Sequence, residues 1–380
     1  MSGTKAERVS HGLPTLVRWF IDSRQWEAEG LDLPLIDAFS PTEQEAVKRY
    51  HFASDRRMSL ASQLLKYLFV HHACGVPWDQ IVLSRTPKPE GRPYYASKSD
   101  TQVEFNVSHQ ASLTILAGVI APSQEQLAKQ ASFQGAVPMP PRIGIDITCV
   151  NERRKPITTG TDYSEFISAF TSVFSRQEMG QIQEPFLTLR RARQLGLADA
   201  FPRDDEATMI NYGLRIFFSY WALKEAYLKM TGEALLAEWL QELEFSNVIP
   251  PPVPATSPPQ GSTAPGHWGT PYSDIKVSKH GKLIEGVRLQ LEAFGADYII
   301  ATAGQGCPVG PLYQDSTCSL DGEDIANESA GDRIPISTRL ALGQSNPWSP
   351  GFEILDPWLP VQQVDIDRDI QSCAKGRCSH

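Results

Sequence analysis

The chain has 380 residues, a formal net charge of -9 and a hydrophobic fraction of 41%. This length and hydrophobicity predict one or two globular domains with a sizeable core. The negative charge argues against nucleic acid as the main partner, because a protein that binds a duplex needs a broad basic surface.

The first predicted element is a helix that begins at a capping box. In the stretch AFSPTEQEAVKRY, Ser40 stands three residues before Glu43, and Pro41 takes the first helical position. A serine and a glutamate at this spacing bind each other's backbone amides at a helix start. A longer helical pattern follows and ends at Gly75, and the apolar runs VEFNVSH and LTILAGVI after it predict strands.

The same order of elements returns in the second part of the chain. The stretch VFSRQEMGQI carries Ser175 and Glu178 at the spacing of the first capping box. The helical pattern YGLRIFFSYWALKEAYLKMTG then ends at Gly232, and VRLQLEAF and DYIIATA have the alternation of strands. The repeated order predicts an α+β protein with two similar α+β halves in one chain.

Three regions follow from this organisation. We expect an N-terminal half over residues 1–142, which ends in a polar linker at 121–142, and a C-terminal half over 143–305. The proline-rich segment 249–266 cannot bury enough apolar surface to offset its ordering entropy, so we predict a disordered insertion there. Residues 306–380 are rich in Gly, Pro, Ser and Asp, which predicts a loosely ordered tail.

Two polar clusters lie in the first half. The stretch PKPEGRPYY holds Lys88 and Arg92 around a Gly-Arg-Pro turn, where a solvated turn is the plain interpretation. The stretch FNVSH places Asn106, Ser108 and His109 near the end of a predicted strand. There they either offer polar groups to a ligand or have a structural role, and each cluster taken alone favours the structural alternative.

Two further clusters lie in the second half. Asp146 interrupts the apolar run RIGIDITCV, and a carboxylate in such a run needs a cation, a metal ion or a helix-capping role. In FFSYWALKEAYLKMTG, Trp221, Glu225 and Lys229 recur every four residues and share one helix face. That face is either a solvated rim, which would also explain Lys224, or one wall of a site for anions. Large aromatic side chains are usually buried, so a solvated rim explains Trp221 less well.

The order of these clusters is more specific than any one of them. Gly-Arg-Pro, Phe-Asn-x-Ser-His, Gly-Ile-Asp and Trp-x-x-Lys-Glu-Ala follow one another between Phe52 and Ala303. In this order they resemble the 4′-phosphopantetheinyl transferases, above all the larger surfactin-type class with its fungal members. The resemblance implies two similar α+β halves with coenzyme A bound between them, which agrees with the repeat predicted above.

The resemblance also implies a reaction. The family transfers the phosphopantetheine arm of coenzyme A to a serine of an apo acyl, peptidyl or aryl carrier domain and releases adenosine 3′,5′-bisphosphate. Cleavage of a pyrophosphate crowds negative charge, which Mg²⁺, or Mn²⁺ in its place, can offset. The motif match implies that Asp146 and Glu225 are the metal ligands. Members of the family often carry a third acid where this chain has Thr148, so we expect water in that coordination position.

Further roles come from the same match. Lys229 would contact the phosphates near the leaving group and act in catalysis with Asp146 and Glu225. Glu225, or a water that it holds, would accept the proton of the attacking serine, unless it is a metal ligand alone. Ser108 and His109 would bind coenzyme A, with His109 at the 3′-phosphate. The remaining candidates for contacts to the nucleotide or its phosphates are Arg57, Lys88 and Arg92.

Two alternatives to this enzyme remain. A catalytically silent scaffold would bind coenzyme A and carrier proteins, but it would have no use for an intact set of Asp146, Glu225 and Lys229. A different magnesium-dependent nucleotide enzyme would release another product. Fatty-acid, polyketide, nonribosomal-peptide and aminoadipate-reductase carriers are all compatible with the resemblance.

Targeting signals and cysteines give the remaining expectations. The N-terminal stretch MSGTKAERVSHGLP lacks the apolar region of a secretory signal, and the longest apolar run, LTILAGVIA, is too short to span a bilayer. The six cysteines are scattered except for Cys373 and Cys378 in CAKGRC, and two ligands alone do not make a zinc site. We therefore expect a cytoplasmic monomer with reduced thiols and no membrane partner.

Overall fold

The computed structural model describes residues 16–87, 91–96, 102–121, 139–152, 155–197, 205–233, 239–254, 268–306, 309 and 358–378. The helices are α1 (Arg24–Ala28), α2 (Pro41–Lys48), α3 (Ala53–Cys74), α4 (Gly160–Ser168), α5 (Arg176–Gln183), α6 (Pro185–Gln194), α7 (Glu206–Thr231) and α8 (Gln371–Ala374). The strands are β1 (Leu16–Asp22), β2 (Leu83–Arg85), β3 (Pro93–Tyr95), β4 (Gln102–Gln110), β5 (Leu113–Ala121), β6 (Arg142–Cys149), β7 (Leu243–Ser246), β8 (Lys276–Lys279), β9 (Lys282–Leu283), β10 (Val287–Phe294), β11 (Tyr298–Gln305) and β12 (Gln362–Gln363).

The two halves have the same topology, which confirms the predicted α+β repeat. In the N-terminal half, β1 pairs antiparallel with β5, and β5 pairs antiparallel with β4. In the C-terminal half, β6 pairs with β11, and β11 pairs with β10, in the same antiparallel sense. Each half therefore consists of a first strand, a set of helices and a hairpin, with the last strand at the centre. The long helices α3 and α7 pack on the two sheets.

The predicted helix ends are confirmed by their capping interactions. Ser40 with Glu43, and Ser175 with Glu178, form complete capping boxes at the starts of α2 and α5. Helix α3 ends before Gly75, whose φ is 62°, because glycine adopts this left-handed conformation without a steric penalty. Helix α7 ends in the same way, before Gly232 with a φ of 82°.

Three apolar clusters hold the molecule together. One lies between α3 and the first sheet, where Leu64 and Phe69 are fully buried, and a second surrounds Phe217 on α7. The third lies between the two sheets and includes Phe20 and Ile145. Because each sheet is covered by a helix on one face and by the other sheet on the other, both faces of its central strand are apolar.

A buried arginine also joins the halves. Arg18 on β1 is 2% exposed and donates to Gln290, at 2.8 Å, and to Glu292, both on β10. Its guanidinium group also donates to the carbonyl of Leu359, at 2.6 Å from Nη2. The N-terminal half, the C-terminal half and the C-terminal segment therefore meet at one side chain.

The predicted loose tail is wrong for residues 358–378. Val364 and Ile370 are buried in the cluster of α3, and β12 pairs parallel with β1, so this part of the segment packs on the N-terminal half. Trp358 is buried in the cluster between the two sheets. The pairing joins residues at opposite ends of the chain, and no local pattern in the sequence indicates it. The remainder of the predicted tail, apart from residues 306 and 309, lies outside the described residues.

The predicted disordered insertion at 249–266 is wrong for its first six residues. Ile249 is fully buried, and the carbonyl of Pro251 accepts a hydrogen bond of 2.7 Å from Arg215. Proline-rich composition hid this packing, because an extended chain against a core needs no regular secondary structure. Residues 255–266, and residues 122–138 of the predicted linker, lie outside the described part of the chain. None of the described helices has the length and apolar composition that a membrane crossing requires.

Candidate active site

A cavity of about 290 Å³ lies where the two halves meet. Its walls are residues 107–110 of β4, residues 146–148 of β6, and Trp221, Glu225 and Lys229 of α7. The structure thus brings together three of the four sequence clusters, which are spread over residues 107 to 229 of the chain. Ser108, His109, Asp146, Glu225 and Lys229, all predicted as site residues, share this cavity.

The approach of α7 to β6 depends on Gly144. A Cβ atom at this position would lie 2.0 Å from the carbonyl oxygen of Ala226 and 2.5 Å from the amide nitrogen of Met230. Backbone atoms cannot yield as a flexible side chain can, so only glycine allows this contact. The contact places Asp146, two residues further along the strand, beside Glu225 and Lys229 on the helix.

A ladder of polar side chains fastens β4 to β6. Alternate side chains of β4 accept hydrogen bonds from alternate backbone amides of β6, with lengths of 3.2 to 3.4 Å. The acceptors are Asn106, Ser108 and Gln110, and the donors are the amides of Ile145, Ile147 and Cys149. The edge strands of the two sheets are therefore joined through side chains, and this register fixes which residues face the cavity.

Asp146 is buried but its charge is compensated. The residue is 5% exposed. Its Oδ1 accepts hydrogen bonds from Ser108 Oγ, at 2.8 Å, and from Lys229 Nζ, at 2.7 Å. Lys229 also donates to the carbonyl of Ile145, at 3.3 Å. A buried carboxylate without such partners would be costly, so the lysine explains why Asp146 can interrupt the apolar run.

Glu225 is the acid in this cavity whose pKa is raised. Burial raises the pKa of its carboxyl, and repulsion from Asp146 raises it further, while Lys229 opposes both effects. The two carboxylates and the lysine form one electrostatic unit. A cation between the carboxylates would relieve their repulsion, and oxygen ligands of this kind suit Mg²⁺.

His109, on the β4 wall of the cavity, has a lowered pKa. Burial lowers the pKa of its imidazole, and the positive charge of Lys229 lowers it further. Asp55 and Asp146 act in the opposite sense, and Lys66 adds to the reduction. A lowered pKa favours the neutral imidazole at pH 7.

Comparison with known proteins identifies the family. The profile described as 4′-phosphopantetheinyl transferase, N-terminal, matches residues 24–121, and that of the 4′-phosphopantetheinyl transferase superfamily matches residues 142–276. The 4′-phosphopantetheinyl transferase A of Aspergillus fumigatus is 40% identical over 100% of this chain and 98% of its own length. The chain belongs to the 4′-phosphopantetheinyl transferases.

Other relatives show how far the transferase family extends. The 4′-phosphopantetheinyl transferase NpgA of Emericella nidulans is 40% identical over 96% of both chains. The L-aminoadipate-semialdehyde dehydrogenase-phosphopantetheinyl transferase of Rattus norvegicus is 26% identical and covers 60% of each chain. The transferase identity and the use of coenzyme A and carrier proteins, which the four motifs implied, are confirmed.

Trp221 and Thr148 complete the cavity of the transferase. The Trp221 ring stacks on Phe217, with 6.3 Å between ring centroids, and meets Phe170 edge-on, so the tryptophan packs α7 against the segment that follows α4. The Thr148 hydroxyl donates to the carbonyl of Ile299, at 3.3 Å. The hydroxyl hydrogen therefore points into the sheet. The neutral oxygen cannot supply the negative charge of the acid that family members often carry at this position.

Lys224 does not belong to the site, and a solvated helix rim is the wrong explanation for it. The side chain is fully buried and pairs with Glu178 at 2.9 Å. It also donates to the carbonyls of Leu240 and Leu243. The first lysine of the Lys-Glu-Ala motif therefore anchors α7 to the C-terminal half, and the capping glutamate of α5 is its partner.

Two of the predicted phosphate contacts, Arg57 and Arg92, do not line the cavity. Arg57 pairs with Glu27 at 2.6 Å. Arg92 pairs with Glu104 at 2.5 Å, and its Nη1 lies 3.2 Å from the position of a Cβ on Gly232, so it reaches the C-terminal end of α7. Lys88 lies outside the described residues.

Sequence reasoning missed two site residues. Gln110 lines the cavity and binds the amide of Cys149, and the structural role of Gly144 was not assigned. A signal for Gln110 was present, because Asn106, Ser108 and Gln110 repeat every second residue and so share one face of their strand. For Gly144, a single sequence cannot show which backbone will approach it.

Proposed function

We propose that the transferase binds coenzyme A in the cavity between its halves and acts with Mg²⁺, with Asp146, Glu225 and Lys229 as the catalytic residues. The attacking nucleophile is the serine of the carrier protein. The observation that supports this proposal is the convergence of two carboxylates and a lysine from two separate elements in one cavity. A cluster of acids that raises the pKa of one member is common at sites that bind cations.

The residues present fit a magnesium ion. Asp146 and Glu225 would hold it, since Mg²⁺ typically takes one or two carboxylates together with substrate phosphates and waters. When bound, the ion supplies positive charge to the pyrophosphate of coenzyme A. Mn²⁺ has similar ligand preferences and is the alternative. Thr148 offers only a neutral hydroxyl, so a water would take the place of a third acid.

The protein's own side chains then have separate tasks. Lys229 neutralises Asp146 at 2.7 Å in the free enzyme, and with substrate bound its ammonium group would share its hydrogen bonds with the phosphates near the leaving group. His109 would contact the 3′-phosphate. Glu225, directly or through a water, would accept the proton of the carrier serine. The Ser108 hydroxyl holds Asp146 in place and lies at the coenzyme A cavity.

Arg57, Arg92 and Lys88 remain candidates for contacts at the edge of coenzyme A. Arg92 is the best placed of the described pair, because it reaches the end of α7 near Gly232. Arg57 would first have to leave Glu27, whose own side chain is 68% exposed, and such an exposed partner holds a charge weakly.

We also propose a broad range of carriers. These are the acyl, peptidyl and aryl carrier domains of fatty-acid, polyketide and nonribosomal-peptide synthases, with the carrier of an aminoadipate reductase as a further substrate. The name of the Rattus norvegicus relative, an L-aminoadipate-semialdehyde dehydrogenase-phosphopantetheinyl transferase, supports the last of these. The net charge of -9 argues against nucleic acid as a partner. We further propose that the transferase acts as a cytoplasmic monomer without a membrane partner. A silent scaffold is not favoured, because Asp146, Glu225 and Lys229 are all present and all line one cavity.

The metal requirement and the two carboxylates are tested together. Transfer is measured while Mg²⁺ is omitted and then added back, which leaves any tightly bound metal elsewhere in place. Asp146→Asn and Glu225→Gln should each lower turnover by about a hundredfold or more, a typical loss when charge stabilisation is removed. Glu165→Gln, an exposed carboxylate on α4, is the matched control and should retain full activity. Full activity without Mg²⁺, or in either site variant, would contradict the proposal.

A further inference from the structure

The C-terminal segment 358–378 ends next to the last turn of α3. Its helix α8 carries Cys373, which is buried, and Cys378 follows a few residues later. Helix α3 presents two adjacent histidines there, His71 and His72, just before its end at Cys74. These are the two stretches VHHAC and CAKGRC of the sequence, and none of their residues lines the transferase cavity.

The side chains of these two stretches converge. His71 Nε2, Cys373 Sγ and Cys378 Sγ all lie within 4.8 Å of one another. The distance from His71 Nε2 to Cys378 Sγ is 3.1 Å, and that from His72 Nε2 to Cys373 Sγ is 3.9 Å. These three groups face a common point, and His72, the next residue on α3, brings a second imidazole to Cys373. Both thiols are free of disulfide bonds.

The orientation of His71 is fixed in the manner of a metal ligand. Its Nδ1 lies 2.7 Å from the carbonyl oxygen of Val76. A carbonyl can only accept, so Nδ1 carries the hydrogen and Nε2 presents its lone pair to Cys378. Metal-binding histidines commonly donate their second ring N–H to a backbone carbonyl in this way, which selects the tautomer and the ring direction.

The spacing fits a tetrahedral zinc ion. Zinc bonds of about 2.3 Å to sulfur and about 2.0 Å to nitrogen place tetrahedral sulfur and nitrogen ligands about 3.5 Å apart. The two measured sulfur–nitrogen distances, 3.1 Å and 3.9 Å, lie on either side of this value. Two thiolates with two imidazoles form a ligand set that suits zinc and that closes all four positions, as in structural sites.

We propose that His71, His72, Cys373 and Cys378 bind one Zn²⁺ ion that fastens the C-terminal segment to α3. The ion has no part in phosphopantetheine transfer. Its effect is on folding: it cross-links residues some three hundred positions apart, and a site present only in the folded chain stabilises that state when metal binds. This site cannot be recognised from the sequence, because CAKGRC alone offers two ligands and the histidines lie far away along the chain.

The test begins with the metal content of the full chain, purified with a thiol reductant in metal-free buffer. Elemental mass spectrometry should find one zinc per chain. Replacement by Co²⁺ should give the intense visible bands of tetrahedral cobalt and a thiolate charge-transfer band in the near ultraviolet. Cys373→Ser and Cys378→Ser should lose the zinc, whereas Cys74→Ser, a cysteine at the end of α3 that is not in the cluster, should retain it.

A second measurement on the wild-type chain does not depend on the folding of variants. After removal of the metal, added Zn²⁺ should slow the alkylation of Cys373 and Cys378 at least tenfold and leave that of Cys74 unchanged. It should also raise the thermal midpoint. Folded protein that holds no zinc, gives no cobalt bands and is alkylated at equal rates with and without Zn²⁺ would overturn the proposal. A Cys373–Cys378 disulfide that persists in reduced glutathione would also overturn it.

Discussion

Lys224 and Glu225 are neighbours in the sequence, yet the fold gives them opposite surroundings. Lys224 points into the core of the C-terminal half and pairs with Glu178, while Glu225 points into the cavity between the halves. A helix turns by about 100° per residue, so adjacent positions can serve stability and function separately. The Lys-Glu-Ala motif combines one residue of each kind.

Substitution of these two neighbours should therefore have opposite effects. Lys224→Met leaves the Glu178 carboxylate buried without its cation, and we expect a loss of about 3–5 kcal/mol in the free energy of unfolding. Glu225→Gln removes a charge that burial and Asp146 disfavour, so stability should be kept or increased while transfer is lost. Urea unfolding and a transfer assay on both variants check this. Equal loss of stability in the two variants would contradict the assignment of Lys224 to the core.

The state of His109 gives a prediction about proton uptake. Because burial and Lys229 lower the pKa of its imidazole, the neutral form is favoured in the free enzyme at pH 7. A 3′-phosphate beside it would favour the imidazolium, so coenzyme A binding should take up a proton and weaken as the pH rises. Calorimetry in buffers of different ionisation heat should detect this uptake, which His109→Gln should abolish.

Dephospho-coenzyme A is the matched ligand for that measurement. It lacks the 3′-phosphate, so wild type and His109→Gln should bind it with equal affinity and no difference in proton uptake. If the substitution weakens both ligands equally, His109 does not contact the 3′-phosphate.

At the scale of elements, Gly144 controls the distance between β6 and α7. Gly144→Ala would place a methyl group against the backbone of Ala226 and Met230, and the helix would have to move away. We expect a loss of about 1–3 kcal/mol in stability, as is typical for overpacking, and a larger fall in activity because Asp146 and Glu225 separate. Thermal unfolding and turnover measure the two effects.

Gly180 provides the control for this prediction. It lies inside α5, where a Cβ would meet no atom within 4 Å. Gly180→Ala should stabilise the protein by about 0.5–1 kcal/mol, the difference in helix propensity between glycine and alanine, and leave activity unchanged. Gly144→Ala with unchanged stability and activity would show that the strand and helix tolerate a wider separation.

Local elements could be predicted from the sequence because their signals are local. The two Ser-x-x-Glu boxes and the terminal glycines gave the starts and ends of helices, and alternation gave β4, β5, β10 and β11. The four motifs gave the family and most of the cavity residues. Burial at long range could not be predicted in the same way: Lys224 has the same appearance as an exposed lysine until its partner Glu178, on another helix, is known.

At the scale of the whole molecule, Arg18 is a buried connection between the halves. Arg18→Met would leave Glu292 buried without a counter-charge, at a cost of about 3–5 kcal/mol. The double variant Arg18→Met, Glu292→Leu removes both charges and should recover most of that loss. Urea unfolding of the single and double variants checks this. A single variant as stable as wild type would mean that the Arg18 connection contributes little to holding the halves together.

The most direct test of the central claim uses intact-protein mass spectrometry. The transferase is incubated with an apo carrier protein, coenzyme A and Mg²⁺, and the carrier mass and the small-molecule products are measured. The account predicts a carrier that gains one phosphopantetheine on its serine, with an equal amount of adenosine 3′,5′-bisphosphate, and no gain with Glu225→Gln. A folded wild-type protein that binds coenzyme A and carrier but leaves the carrier mass unchanged would contradict it, and would instead indicate a silent scaffold.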